Sequence, residues 1–219
     1  MDQFIREVDE EYRRDRIAEL WRRYGALFLG LALLVVAGVG GWRYWQYAEG
    51  QRAEAAAARF QGALELSREG KRDEAEKAFA ALAAESPSGY RLLARFRLAA
   101  EAGLRDAEAG AKAFDALAAD ATAPGVFQDL ARLRAATLRL DANPSAGASE
   151  LERIAAPTNP WRHTARELLG LAALKRGDAE AAGRWFDQIA ADRATPAGLR
   201  SRLEIYTALV AGGPVQTTQ

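Results

Sequence analysis

The stretch YGALFLGLALLVVAGVGGWRYWQ, residues 24–46, decides how this chain is organised. From Tyr24 to Trp42 it runs 19 residues without a charge, bounded by Arg23 and Arg43. As a helix, at ~1.5 Å per residue, it is about 28 Å long. That matches the ~30 Å hydrocarbon core of a bilayer. A core helix of a soluble protein carries a polar stripe, and this run has none. Gly25, Gly30, Gly38, Gly40 and Gly41 weaken a helix in water but are tolerated in lipid, where no water competes for backbone bonds. Two readings of Gly38, Gly40 and Gly41 stand: close packing against another membrane helix, or simple tolerance. No strand precedes them, so they are not a phosphate loop.

Both ends of the run are marked. Trp21 and Tyr24 flank one side, and Trp42, Tyr44, Trp45 and Tyr47 the other. Amphipathic rings collect at headgroup level, so these residues are expected at the two membrane interfaces. A removed signal peptide is the main rival. Its charged segment is short and basic, and its apolar segment spans roughly 7–15 residues. Here 23 residues precede the run, with seven acids among six arginines. The small residues from Gly38 to Gly41 imitate a cleavage site, but the run is too long, which favours a retained anchor. Orientation follows from Lys and Arg. Six arginines precede the run, and Arg43, Arg52 and Arg59 follow within the next 20 residues. Residues 1–23 are therefore expected in the cytoplasm and residues 43–219 outside it, in a single-pass arrangement.

Composition narrows the function of the outer part. Its 177 residues hold 24 basic and 23 acidic side chains, enough chain for one domain but no basic field for nucleic acid. The absence of cysteine excludes disulfide frameworks and thiolate metal sites. Ala, Leu, Arg and Glu dominate, all strong helix formers, and no window alternates as a strand would. The expected fold class is all-α. The amino-terminal segment has apolar residues at Ile5, Val8, Tyr12, Ile17, Leu20, Trp21 and Tyr24, a helical spacing. It either lies on the inner membrane surface or touches a partner, or it leads straight into the span.

After a helix running to Gly70, a repeat emerges. Phe79-Ala-Ala-Leu82-Ala83 recurs at Phe114–Ala118, Leu151–Ala155 and Phe186–Ala190, at separations of 35, 37 and 35 residues. Each copy is followed by a breaker: Pro87, Pro124, Pro157 with Pro160, and Pro196. Second helices are expected over Tyr90–Ala102, Phe127–Leu140, Trp161–Arg176 and Leu199–Val210. A period near 35 with two helices per unit is the mark of a helical solenoid, in which each pair buries its apolar face on the next.

These residues resemble the tetratricopeptide repeat. In residues 168–190, Leu169, Gly170, Gly177, Ala182 and Phe186 stand at its signature spacing, and Gly70, Ala75, Phe79 and Pro87 match in residues 70–87. Gly110 and Gly147 replace the small alanine in the two middle copies, and Leu151 replaces the aromatic. The aromatic and the tyrosine of the repeat's first helix are missing. The expected organisation is a cytoplasmic amphipathic segment (1–23), a transmembrane helix (24–42), a connecting helix (43–70), a tetratricopeptide-like solenoid (71–211) and a disordered tail (212–219).

Nothing in the sequence announces catalysis. His163 is the only histidine, so a metal site or an imidazole triad has no support and a capping or surface role is expected. The carboxylates fall beside basic residues on helix surfaces, as Asp73, Glu74 and Glu76 do with Lys71, Arg72 and Lys77. No pair stands out as acid and base. No enzyme activity, cofactor or small-molecule substrate is expected. In the repeat frame, Arg95 and Arg132 share a position on successive first helices, with Arg139 two turns beyond Arg132. They are the candidate concave binding face, able to grip acidic segments or chain carboxylates; the alternative is that they are ordinary solvated arginines.

The junction Gly41-Trp42-Arg43-Tyr44-Trp45, with the helix that follows, resembles the ancillary subunit of the bacterial Sec translocon. The acidic, arginine-rich residues 1–23 depart from that family. The resemblance implies a single-span inner-membrane protein with a periplasmic repeat domain. It also implies work beside the Sec translocon, with a membrane-anchored periplasmic chaperone of the prolyl-isomerase type, on newly exported chains. The alternative within the same architecture is an anchored adaptor for another envelope assembly, in cell division or outer-membrane biogenesis.

Overall fold

The structure is a computed structural model. It describes residues 2–143 and 145–212, with side chains from residue 21 onward except those of Ser88, Asp141 and Ala142. The amphipathic face expected in residues 1–20 and the tail beyond Gly212 lie outside the described side chains and residues. Among the described residues all regular structure is helical: α1 (Asp2–Arg68), α2 (Arg72–Glu85), α3 (Ser88–Arg105), α4 (Ala107–Ala118), α5 (Gly125–Ala142), α6 (Ala148–Ile154), α7 (Arg162–Lys175), α8 (Ala179–Ala191) and α9 (Ala197–Ala211). The all-α expectation holds.

Turn chemistry sets the boundaries. Pro87, Pro124 and Pro196 sit at the N-caps of α3, α5 and α9, with φ of −53°, −56° and −59°. Proline's fixed φ and missing N–H suit a helix start and stop the preceding helix. Asp106 caps α4 by accepting from the Glu108 and Ala109 amides at 2.9 and 3.3 Å. Asp178 caps α8 by accepting from the Ala181 amide at 2.9 Å. Gly70 and Gly177, with φ of +77° and +79°, end α1 and α7 in the left-handed conformation that glycine adopts without strain.

By its internal contacts the chain forms two units, Met1–Ala55 and Ala56–Gln219. In the first, α1 carries the uncharged run, and no residue from 21 to 55 is buried. Leu27, Leu34 and Val36 are each 69% exposed. Among the described residues this is the one helix long and apolar enough to cross a membrane.

In the second unit, helices pack in sequence as pairs. The last turns of α1 pair with α2, followed by α3 with α4, α5 with α6 and α7 with α8, and α9 packs on α8. Ala56 and Ala63 are buried against Phe79, so the first helix of the first pair begins upstream of residue 71, where the sequence placed the start of the solenoid. The repeated positions all point inward: Phe79 and Leu82, Phe114 and Leu117, Leu151 and Ile154, Phe186 and Ile189 are buried. Each such side chain contributes ~1.5–3 kcal/mol when taken out of water. Aromatic rings of the first helices meet these wedges. Phe60 lies 5.5 Å from Phe79, and Phe96 lies 5.8 Å from Phe114, centroid to centroid.

The divergent second copy is explained by a close crossing. A Cβ at Gly110 in α4 would stand 2.4 Å from the Gly103 Cα and 3.0 Å from the Ala99 carbonyl oxygen of α3. Even alanine is too large where two backbones approach so closely.

The α8–α9 turn is fixed by charge. Asp192 accepts from Arg162 Nε at 2.8 Å and from the Ala194 amide at 2.9 Å, with His163 Nε2 at 2.9 Å and Arg166 Nη1 at 3.8 Å. His163, expected to cap or to sit on the surface, is instead buried. Arg166, also buried, donates to the carbonyl oxygen of Ala155 at 3.1 Å and of Gln188 at 3.4 Å. The Arg162 hydrogen bond, followed by the Ala194 amide, holds the Asp192 carboxyl far below the usual carboxylate range.

Two predictions follow from the packing and the charge. Gly110→Ala should destabilise the repeats by about 1–3 kcal/mol through overpacking. Gly62→Ala, on an exposed position of α1 with nothing within 4 Å, should stabilise them slightly through helix propensity. Urea unfolding midpoints that shift the same way in both variants would contradict the crossing. Asp192 has a depressed folded pKa, so its stabilisation is complete above the ordinary value of ~3.9 and is lost as pH falls from there toward the folded value. The Tm difference between the wild type and Asp192→Asn should shrink as pH is lowered below about 4. A gap that stays constant or widens would contradict the carboxylate's role.

Candidate protein-binding groove

The second unit holds a groove of about 610 Å³ formed by the end of α1, α3 and α5. These are the first helices of three successive pairs. Repetition places their outward faces side by side, away from the second helices that cover the opposite side. Phe96 is central to the groove wall, with ring centroids 5.8 Å from Phe114 and 6.2 Å from Phe127. Leu93 and Leu104, 43% and 62% exposed, widen the apolar lining.

Three charged residues interrupt this apolar surface. Arg97 of α3 and Arg134 of α5 line the groove and are exposed. Neither makes an ion pair among the described residues. Glu101 of α3 lines it too, yet is only 5% exposed. Its Oε1 accepts a short hydrogen bond from Ser67 Oγ of α1, and its Oε2 has no partner among the described residues.

The arginines expected to form the binding face lie elsewhere. Arg95 pairs with Asp120 in the α4–α5 turn. The Thr122 hydroxyl, then Arg95, pulls the Asp120 carboxyl down to about 2. Arg132 pairs with Asp129 at 2.8 Å, reaches Glu150 of α6 at 3.5 Å and donates to the Ala118 carbonyl oxygen at 3.4 Å. Arg139 donates to Asp115 of α4 at 2.5 Å and lies 3.6 Å from Glu108; its hydrogen bond to Asp115 raises its own pKa. The structure brings none of the three into the groove lining. Arg132 and Arg139 tie first helices to second helices, and Arg95 ties α3 to the α4–α5 turn.

The groove residues Phe60, Phe96, Glu101 and Phe127 were not singled out from the sequence. Arg97 and Arg134 repeat at the same interval as Arg95 and Arg132. Two residues along an α-helix turn the side chain by about 200°. The interval was therefore visible, but the face it belonged to was not. The membrane-interface candidates Trp21, Tyr24, Trp42, Tyr44 and Trp45 all lie exposed on α1. Trp42 and Trp45 have ring centroids 5.6 Å apart, and the Arg23 guanidinium lies 5.8 Å from the centre of the Tyr24 ring. Among the described residues no cluster of three or more His, Cys, Asp or Glu could hold a metal ion.

The groove lining is mostly apolar, with a few polar and charged groups among it, the make-up common to ligand and peptide sites. Comparison with curated proteins finds no match, and comparison with solved structures finds none either. The sequence profile of the tetratricopeptide repeat-like domain matches residues 19–205, most of the chain. The chain therefore belongs to the tetratricopeptide repeat-like domain family.

Proposed function

We propose that this chain is a membrane-anchored, non-enzymatic scaffold whose repeats dock protein partners outside the cytoplasm. The observation that carries the reading is the pairing of an uncovered 19-residue uncharged run with an open groove on the repeat stack. In this reading residues 24–42 cross the bacterial inner membrane, with residues 1–23 in the cytoplasm and the repeats in the periplasm; the six arginines before the run support that orientation. Trp21 and Tyr24 sit at one headgroup level and Trp42, Tyr44 and Trp45 at the other. Trp21 and Trp42 are about 31 Å apart along a helix at ~1.5 Å per residue, which supports two interfaces one bilayer apart.

The partners in this reading are the Sec translocon and a membrane-anchored periplasmic chaperone of the prolyl-isomerase type. Support comes from the Gly41-Trp42-Arg43-Tyr44-Trp45 junction. Arg95, Arg132 and Arg139 serve the binding face indirectly, by locking the helices that present it. Docking by several repeats spreads contact over an extended surface, the usual role of helical solenoids.

Two measurements test this. Protease added to intact spheroplasts should digest residues beyond 43 and spare the amino-terminal segment; protection of the repeats would reverse the orientation. Gentle solubilisation should recover translocon and chaperone components with the chain. Recovery of cell-division or outer-membrane assembly components instead would move the scaffold to a different complex.

A further inference from the structure

We propose that the groove takes a protein segment that sets a lysine or arginine against Glu101, with an apolar side chain beside it and acidic residues over Arg97 and Arg134. This rests on the reading of the repeats as a partner-binding scaffold and specifies what they bind.

A buried carboxylate faces the groove. Glu101 is 5% exposed, and Ser67 satisfies only one of its oxygens. A buried acceptor without a donor is costly, and a charged one more so. Arg97 stands one turn away on the same helix and makes no ion pair with it. A cationic donor fits best, because charge-assisted hydrogen bonds are about twice as strong as neutral ones.

Charge complementarity points the same way. Arg95, Arg105, Arg132 and Arg139 on α3 and α5 are all held by carboxylates, and Arg91 donates to the Ser86 carbonyl oxygen at 3.1 Å. Arg97 and Arg134 are the arginines of these two helices without such a partner among the described residues, and both line the groove. Acidic side chains on an occupant answer them, mainly by steering and orienting it at the rim.

The alternation of sign also rejects wrong partners. A wholly acidic segment sets like charge against Glu101. A wholly basic one meets Arg97 and Arg134. The exposed Leu93 and Leu104 with Phe96 give the occupant's apolar side chain a surface. Burial there supplies the non-specific part of the affinity.

The experiment is a display selection of random short peptides on the full chain in lipid nanodiscs, followed by affinity measurements on labelled synthetic copies. Selected peptides should carry Lys or Arg beside an apolar residue, with acids nearby. Replacing that cation by norleucine should weaken binding by about tenfold or more. The same replacement should matter far less on Glu101→Gln, whose fold is checked by its thermal transition. The exposed double variant Arg97→Glu, Arg134→Glu should shift preference from acidic to basic flanks.

Absence of enrichment, peptides without a cation, or equal loss on the wild type and Glu101→Gln would overturn the proposal. So would concentration-dependent self-association abolished by Glu101→Gln, which would place a second copy in the groove. If Glu101→Gln recovers the same partners from membranes as the wild type, the groove assignment fails while the scaffold reading survives. If the wild type recovers no partners, the scaffold reading itself fails.

Discussion

Nineteen uncharged residues on one helix, none of them buried among the described residues, are the constraint on which the rest depends. Each exposed leucine or valine there costs on the order of 1.5–3 kcal/mol relative to burial. A stretch that long and continuous exceeds the scattered apolar exposure of ordinary surfaces. Lipid satisfies it at no cost to the backbone, because a helix closes its own hydrogen bonds. The proposed membrane anchoring descends from that requirement.

A second constraint shapes the repeats. A helix pair buries only part of its apolar surface, and the remainder must be covered by its neighbours. Phe79, Phe114, Leu151 and Phe186 fill that role, one in each pair. Where a pair approaches too closely for a side chain, as at Gly110, glycine removes the obstacle. Ion pairs then fix the turns and the angles between helices. Most are partly exposed and contribute little individually; the convergence of Arg162, His163 and Arg166 on Asp192 is denser and joins α7 to the end of α8. With the second helices committed to packing, the first helices of three pairs are left to present a groove.

Much of this was legible in the sequence because it depended on few, distinctive residues. The wedges stood out by size and spacing, and the prolines marked helix starts to within about three residues. The first helix of the first pair was not legible. The buried positions of residues 56–68 are Ala56 and Ala63, with Phe60, Leu64 and Leu66 only partly buried beside them, and alanine lends itself equally to a surface or an interior. The groove lining was not legible: Arg97 and Arg134 repeat at the same interval of 37 as Arg95 and Arg132, and an interval selects a pair of positions but not their direction. Glu101 could not be found from pattern alone: a charged residue on an arginine-rich helix reads as solvated, and only tertiary packing against Ser67 buries it. His163 reads as a capping or surface residue for the same reason, since its partner lies 29 residues away in sequence.

The most direct test of the lipid-embedded helix is alkaline carbonate extraction of membranes containing the full chain, with the amino terminus verified by mass spectrometry. The account predicts that the intact polypeptide stays in the membrane pellet. Recovery in the supernatant with residues 1–55 still attached would contradict it.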